Sequence, residues 1–258
     1  MANCDWIVEA VVERLDIKKE LYKRLNEVIN PNCVVTSNTS TIPISLLVED
    51  MPEDFQKRFA ITHYFNPVRY MRLLELVRGA NTDEKIMDQL ADYNDRVMGK
   101  GVVRCNDTPG FLGNRVGVFA LQVGMDEASK NKLTVEEADA LMGRPMGIPK
   151  TGVFGLYDLI GIDLMSDVVN TLGDILPEDD LFHEVGTLNN PVMPLIRDMI
   201  QNGFTGDKGK GGFYRIENKT NCAVDLTNGK IRLRQKTLPI SAQKAADAQA
   251  AGDETLIV

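Results

Sequence analysis

Histidine is nearly missing from this chain: there are two in 258 residues, one of them His63. Cysteine is scarce as well. Cys4, Cys33, Cys105 and Cys222 lie far apart and form no C-x-x-C pair. That spacing disfavours a structural zinc or a disulfide framework, and free thiols in a reducing compartment are expected. No apolar run approaches the roughly 20 residues needed to cross a bilayer. The start, "MANCDWIVEA", has no basic segment or cleavage signal, so a cytoplasmic chain is expected. Positive charge is in deficit, with 29 Lys and Arg against 37 Asp and Glu and a net charge of -8. That argues against nucleic acid as a general partner. An anionic small molecule stays possible, because a local basic patch suffices. No G-x-G-x-x-G follows a strand. The dense glycine cluster "DKGKGG" falls in a helical context and fails the test for a dinucleotide loop. No internal repeat is present.

What is there is a soluble globular composition, 43% hydrophobic and 26% charged. The length suits one large domain or two ordinary ones. The first half alternates short apolar runs with helical patterns. "DWIVEAV" reads as a strand. "DIKKELYKRLNEVI" reads as a helix, with Asp16 as N-cap and Leu21, Leu25, Val28 and Ile29 at helical spacing. "CVVTSN", a short helix entered through Pro43, "RFAITHYF", "MRLLELV", a helix over "DEKIMDQLADYNDRVM" and the strand "GVVRC" follow. Strands alternating with helices imply a mostly parallel sheet, and near-continuous apolar strands imply burial on both faces. From Pro109 onward the pattern is helical with no clear strand. Pro109 sits near a helix start, and Thr134 with Glu137 forms a capping-box pattern. After about Arg215 periodicity fades, and "AQKAADAQAAGDE" reads as linker or loose helix. The expected class is α/β, the C-terminal part of a doubly wound sheet followed by an all-helical domain. The expected boundaries are 1–107, 108–215 and a linker-like tail over 216–258.

The stretch "ITHYFNPVRYMRLLELV" carries the chemistry. If its two apolar runs pair antiparallel across Asn66-Pro67, the midpoint between 63 and 75 falls on Arg69, inside the connection. His63 and Glu75 then face each other, with Cβ atoms about 4.5–5.5 Å apart. A carboxylate there can fix the imidazole tautomer and leave the other nitrogen as a base. The same spacing also allows a strand-end histidine bonded to backbone, with Glu75 facing solvent. "TSNTST" ends a strand, where open α/β sheets bind ligands, though Ser, Thr and Asn also favour plain turns. Asn114, in "NDTPGFLGNR", is site-facing or a helix-interior amide.

Taken together, "DWIVEAVVERLDIKKELYKRL", "TSNTSTIPI", "HYFNPVRYMRLLELV", "DTPGFLGNR" and "GKGGFY" resemble, in order and spacing, the L-3-hydroxyacyl-CoA dehydrogenases of fatty-acid β-oxidation. The resemblance spans roughly Asn3 to Tyr214 and favours the long bacterial type, with an adjoining enoyl-CoA hydratase domain. It implies a Rossmann-like NAD domain, an acyl-CoA substrate, and a helical domain that closes over the acyl chain and supplies a homodimer surface. It implies that His63 is the general base on the 3-hydroxyl and that Glu75 supports it. It further implies that Ser40 bonds substrate near the nicotinamide ribose and that Asn114 orients the substrate. Glu13, Lys18, Asn66 and Lys208 match cofactor-contacting positions by the same resemblance; Lys18 alone could equally be a solvated helix charge.

One departure stands out. The family opens with a strand and a glycine-rich loop that holds the pyrophosphate at a helix N-terminus, and these residues contain neither. A truncated chain, weakly active or inactive alone, is therefore expected. The other readings are a non-catalytic folding or dimerisation module and a dehydrogenase for another 3-hydroxy acid.

Overall fold

The computed structural model describes residues 2–146, 150–185, 190–235 and 240–251. The chain divides into two compact units, Met1–Val116 and Gly117–Val258. In the first, β1 (Trp6–Glu9), α1 (Leu15–Val28), β2 (Val34–Ser37), α2 (Ile44–Leu47), α3 (Glu53–Lys57), β3 (Phe59–Tyr64), β4 (Leu73–Arg78), α4 (Glu84–Arg96) and β5 (Gly101–Cys105) follow in order. The five strands form one sheet in the order β1-β2-β3-β4-β5. All neighbouring pairs are parallel except β3 with β4, which is antiparallel.

The sheet is covered on both faces because its strands are apolar on both. Phe59, Ile61 and Val77 pack with Tyr22, Leu47 and Phe55 on one side. Ala60 and Leu76, pointing the other way, pack with Met87 and Leu90 of α4. Period-two alternation thus sends both sets into a core. Trp6 at the edge strand is held by a bond from Nε1 to Thr36 Oγ1 at 2.9 Å and by edge contact with Tyr93.

Several expectations shift here. The first strand stops at Glu9 rather than Val11, because the Glu9 carboxylate accepts the Val11 amide at 2.7 Å and turns the chain. Asp16 is not the cap of α1. Arg14 holds that position in extended conformation without a side-chain bond, and Asp16 pairs with Arg14 instead. The buried face of α1 runs through Lys18, Tyr22 and Leu25, while Val28 is exposed.

The second unit begins within helix α5 (Gly113–Lys130), whose first turn belongs to the first unit. Pro109 lies four residues ahead of that helix, in a turn closed by Phe111 N bonding Thr108 O. Next come α6 (Val135–Leu141), α7 (Phe154–Ile160), α8 (Ile162–Ile175), α9 (Phe182–Val185) and α10 (Met193–Gln201). The capping box on α6 forms as its spacing predicts, with both Thr134 and Glu137 bonds present. The run 154–176 is two helices, since Gly161 at φ 114° breaks the ladder. Met125, Phe154, Tyr157, Ile162, Val169 and Phe213 anchor this core.

The expected linker-like tail is instead built structure. Strands β6 (Tyr214–Glu217), β7 (Thr220–Val224) and β8 (Ile231–Leu233) form an antiparallel sheet, and α11 (Ile240–Ala251) follows. Residues 236–239 and 252–258 of the tail lie outside the described residues. The helical unit therefore carries a small sheet that its sequence pattern did not reveal. No described helix is long and apolar enough to cross a membrane.

Candidate active site

The first-unit candidates gather at one end of the five-stranded sheet, where β1, β2 and β3 finish and β4 begins. His63 and Glu75 are register partners, as the spacing about Arg69 predicts. His63 Nδ1 lies 2.6 Å from Glu75 Oε2. The other carboxylate oxygen accepts from Leu112 N at 2.8 Å and Gly113 N at 2.6 Å, amides that open α5. Orphan amides at a helix start carry partial positive charge and suit an anion.

Glu75 is 1% exposed and His63 is 7% exposed. Burial pushes the Glu75 carboxyl up, but the bonds from His63, Gly113 and Leu112 together outweigh it. The group is held below the usual carboxylate range. An ionised carboxylate can only accept, so Nδ1 must carry the hydrogen, which makes Nε2 the basic nitrogen. Nε2 makes no hydrogen bond among the described residues. Phe65 and Phe111 flank the ring at 4.5 and 6.0 Å. Cys105 Sγ sits 3.8 Å from Glu75 Oε1, and burial with the nearby Glu75 charge pushes its thiol up to about 11. That thiol stays protonated and unreactive.

The loop after β2 is tied down through Glu13. Its Oε1 accepts from Ser40 N at 3.2 Å, from Thr41 Oγ1 at 3.3 Å and from the Thr39 hydroxyl. Asn114 Nδ2 reaches Ser40 O at 3.5 Å. Asn38 Oδ1 accepts from Tyr64 N at 2.9 Å, linking the loop to the strand of His63. Asn66 is exposed just beyond β3. Lys208 lies in the second unit and pairs with Asp163 at 2.7 Å.

Lys18 is not a solvated charge. It is 1% exposed, with its ammonium 2.7 Å from Glu9 and 3.3 Å from Glu13. Glu9 is the residue that sequence reasoning missed. Its carboxylate accepts from Lys18, from Tyr22 OH at 2.5 Å, from Ser37 Oγ at 2.7 Å and from Val11 N. Burial pushes it up, yet the Lys18, Tyr22 and Ser37 bonds bring it below the ordinary range. The available signal was a carboxylate closing the apolar strand "WIVE" nine residues before a lysine. Asp107 was missed too. It caps α2 by accepting from Ile44 N and Ser45 N at 2.8 and 3.1 Å.

Comparison with known proteins bears on this geometry. Residues 1–108 match the family model described as 3-hydroxyacyl-CoA dehydrogenase, NAD binding domain, and residues 110–216 match the C-terminal domain of the same family. A Rickettsia felis protein, provisionally named a fatty acid oxidation complex trifunctional enzyme, is 40% identical over 228 residues. The match covers 88% of this chain but 30% of that protein. A Deinococcus radiodurans protein, provisionally named a 3-hydroxybutyryl-CoA dehydrogenase, is 33% identical, with 83% of this chain and 72% of that protein covered. The crystal structure of M. tuberculosis FadB2 superposes with a TM-score of 0.73 at 31% identity, covering 84% of this chain and 72% of that one.

Proposed function

This chain belongs to the 3-hydroxyacyl-CoA dehydrogenase family, and on that footing we propose that it oxidises an L-3-hydroxyacyl-CoA to the 3-ketoacyl-CoA, with His63 as base. The observation that carries the reading is the buried Glu75 carboxylate, which bonds one imidazole nitrogen and leaves the other available. His63 Nε2 takes the proton of the 3-hydroxyl. Glu75 balances the imidazolium that forms, and Leu112 N and Gly113 N hold the carboxylate still. A positioned base of this kind supplies about 10²–10⁴ in rate.

The chemistry that bound NAD would supply is a hydride acceptor for C3. The donor set fits one end of that cofactor. Glu13 is half-exposed and holds the Ser40 loop at the strand ends, and Asn66 is open to solvent nearby in sequence. Glu13, Ser40 and Asn66 would hold the nicotinamide-ribose end, with Lys18 fixing Glu13 from below. Lys208 remains a cofactor contact by resemblance alone. Ser40 and Asn114 would orient the substrate oxygen. The sequence contains no G-x-G-x-x-G and no glycine-rich strand–turn–helix stands among the described residues, so weak NAD binding by this chain alone belongs to the same reading. Fatty-acid β-oxidation, a cytoplasmic setting, an adjoining hydratase domain and a homodimer through the helical unit complete it. The name of the Rickettsia relative and the exposed Leu159, Leu164 and Leu181 of the second unit support the last two.

The test is reduction of a 3-ketoacyl-CoA by NADH, run on the chain alone and on the chain preceded by a glycine-rich βαβ unit. We expect turnover with that unit, and its loss in His63→Gln with KM little changed. Turnover that survives His63→Gln within a few-fold would remove the base assignment.

A further inference from the structure

We propose that the groove between α6 and the β6–β8 sheet, in the Gly117–Val258 unit, binds a phosphate-bearing small molecule. The cavity measures about 980 Å³ and shares no residue with the His63 site. Its size is at the upper end for small-molecule pockets. Its walls are fixed. The Arg232 guanidinium grips both oxygens of buried Glu136, and Gln235 N donates to Glu136 Oε1 at 2.7 Å. Tyr214 OH donates to Asp139 Oδ2 at 2.8 Å, and the same carboxylate accepts Phe154 N and Gly155 N. Both acidic groups of the lining are therefore already engaged.

The basic groups are not. Lys150, Lys219 and Arg234 line the groove, and none pairs with a carboxylate among the described residues. Three cations without a carboxylate partner among the described residues line one groove in a chain whose net charge is -8. Such a concentration of one sign attracts an anion. The Arg234 guanidinium carbon lies 4.4 Å from the centre of the Tyr214 ring, a cation–π contact that uses none of its N–H groups and leaves them for the paired oxygens of a phosphate. Lys219 is presented from a tight turn in which Asn218 and Lys219 have φ of 49° and 64°. A second observation also points to a ligand. Thr151 is one of the lining residues, and its Oγ1 atom is buried with no hydrogen-bond partner. A buried hydroxyl without a partner is costly, and turning the side chain toward a phosphate oxygen in the groove would satisfy it. Thr220 and Asn221 add neutral polar groups to the same wall.

Amide NMR titration of the full chain with inorganic pyrophosphate tests this, with ATP and coenzyme A as organic arms and sulfate at matched ionic strength as control. We expect saturable shifts at Thr151, Thr220 and Asn221 with at least one phosphate compound and not with sulfate. Pyrophosphate alone would mark an inorganic ligand, and ATP or coenzyme A alone an organic one. Arg234→Gln and Lys219→Asn, which tolerates the left-handed turn, should each weaken binding about tenfold, the worth of one charge-assisted bond. Thr151→Val should weaken it several-fold and leave the melting temperature unchanged or raised. Absence of saturable shifts in all arms would overturn the proposal. So would affinities unaffected by the Arg234 and Lys219 substitutions, or a Thr151→Val chain that is destabilised while binding unchanged.

Discussion

Replacing Glu75 by glutamine changes one atom of a side chain whose two oxygens have fixed partners. Oε1 accepts two backbone amides, and Oε2 faces His63 Nδ1. Glutamine has one acceptor and one donor end. If its NH₂ faced Leu112 N and Gly113 N, three donors would confront each other, and unmet buried donors cost about 1–3 kcal/mol each. If its oxygen takes both amides, every bond survives provided His63 Nδ1 becomes an acceptor. The second arrangement wins, and it moves the imidazole hydrogen to Nε2. The nitrogen meant to receive the substrate proton is then occupied. The expected loss is that of the positioned base, about 10²–10⁴ in kcat, with KM little altered. The structural half can be checked without turnover. Two histidines in the chain make a nitrogen-15 correlation spectrum simple to assign. With His63 in its neutral form, wild type should show Nδ1–H, and Glu75→Gln should show Nε2–H. An unchanged tautomer, or kcat within a few-fold of wild type, would refute the reasoning. So would full additivity with His63→Gln, since two groups acting as a unit give much less.

Ser40→Ala should lower kcat/KM modestly, by the worth of one neutral hydrogen bond, about 0.5–1.5 kcal/mol; no change would reduce Ser40 to a turn residue. Lys18→Met strips the cation from Glu9 and should destabilise the first unit by about 3–5 kcal/mol, toward the lower end because Tyr22, Ser37 and Val11 N still serve that carboxylate. The single tryptophan, Trp6, lies in that unit, so urea unfolding by fluorescence reads the loss, and an unchanged midpoint would contradict the buried pair. In the second unit, burial pushes Asp158 up to about 7, helped by the Asp207 and Asp139 charges and opposed by the Phe213 and Tyr214 amides. A folded pKa above the unfolded one means that the native state binds more protons between the ordinary carboxylate range and about 7. Melting temperature by circular dichroism should therefore fall as pH rises through that window, and Asp158→Asn should flatten the slope; a rising profile would reverse the assignment.

How much of this was legible depended on whether local pattern or partner chemistry decides the position. The pairing of His63 with Glu75 was one of two arrangements that the apolar runs and the connection centred on Arg69 allow, and the family resemblance favoured it; the structure has it in register. The α6 capping box was equally local. Lys18 was not, since a helical wheel assigns any lysine to solvent and cannot see that Glu9 lies beneath it. The β6–β8 sheet escaped for another reason. Its strands are short, and the apolar Ile216 and Leu233 on them are exposed, so neither period shows clearly. The turn signals were nonetheless present. Asn218-Lys219 closes β6 onto β7 in two residues, and Asn228-Gly229 lies between β7 and β8. Read as punctuation, they would have marked a hairpin ahead of the alanine-rich segment.

The same end of the sheet holds two buried carboxylates, and their partners separate their roles. Both Glu9 and Glu75 are brought below the ordinary range by hydrogen bonds that outweigh burial. Glu9 is served by an ammonium, two hydroxyls and an amide. Its ammonium partner reaches on to Glu13, so its charge is spent on holding the loop that carries Ser40. Glu75 is served by two amides and an imidazole. Two of those three partners cannot change protonation state at any ordinary pH, and the third can. Protonating His63 at Nε2 would raise the charge beside Glu75 by one without breaking a bond to it. A carboxylate already ionised, already desolvated and already oriented stabilises that added charge with little rearrangement, which is the condition for electrostatic help to reach the barrier of a proton transfer.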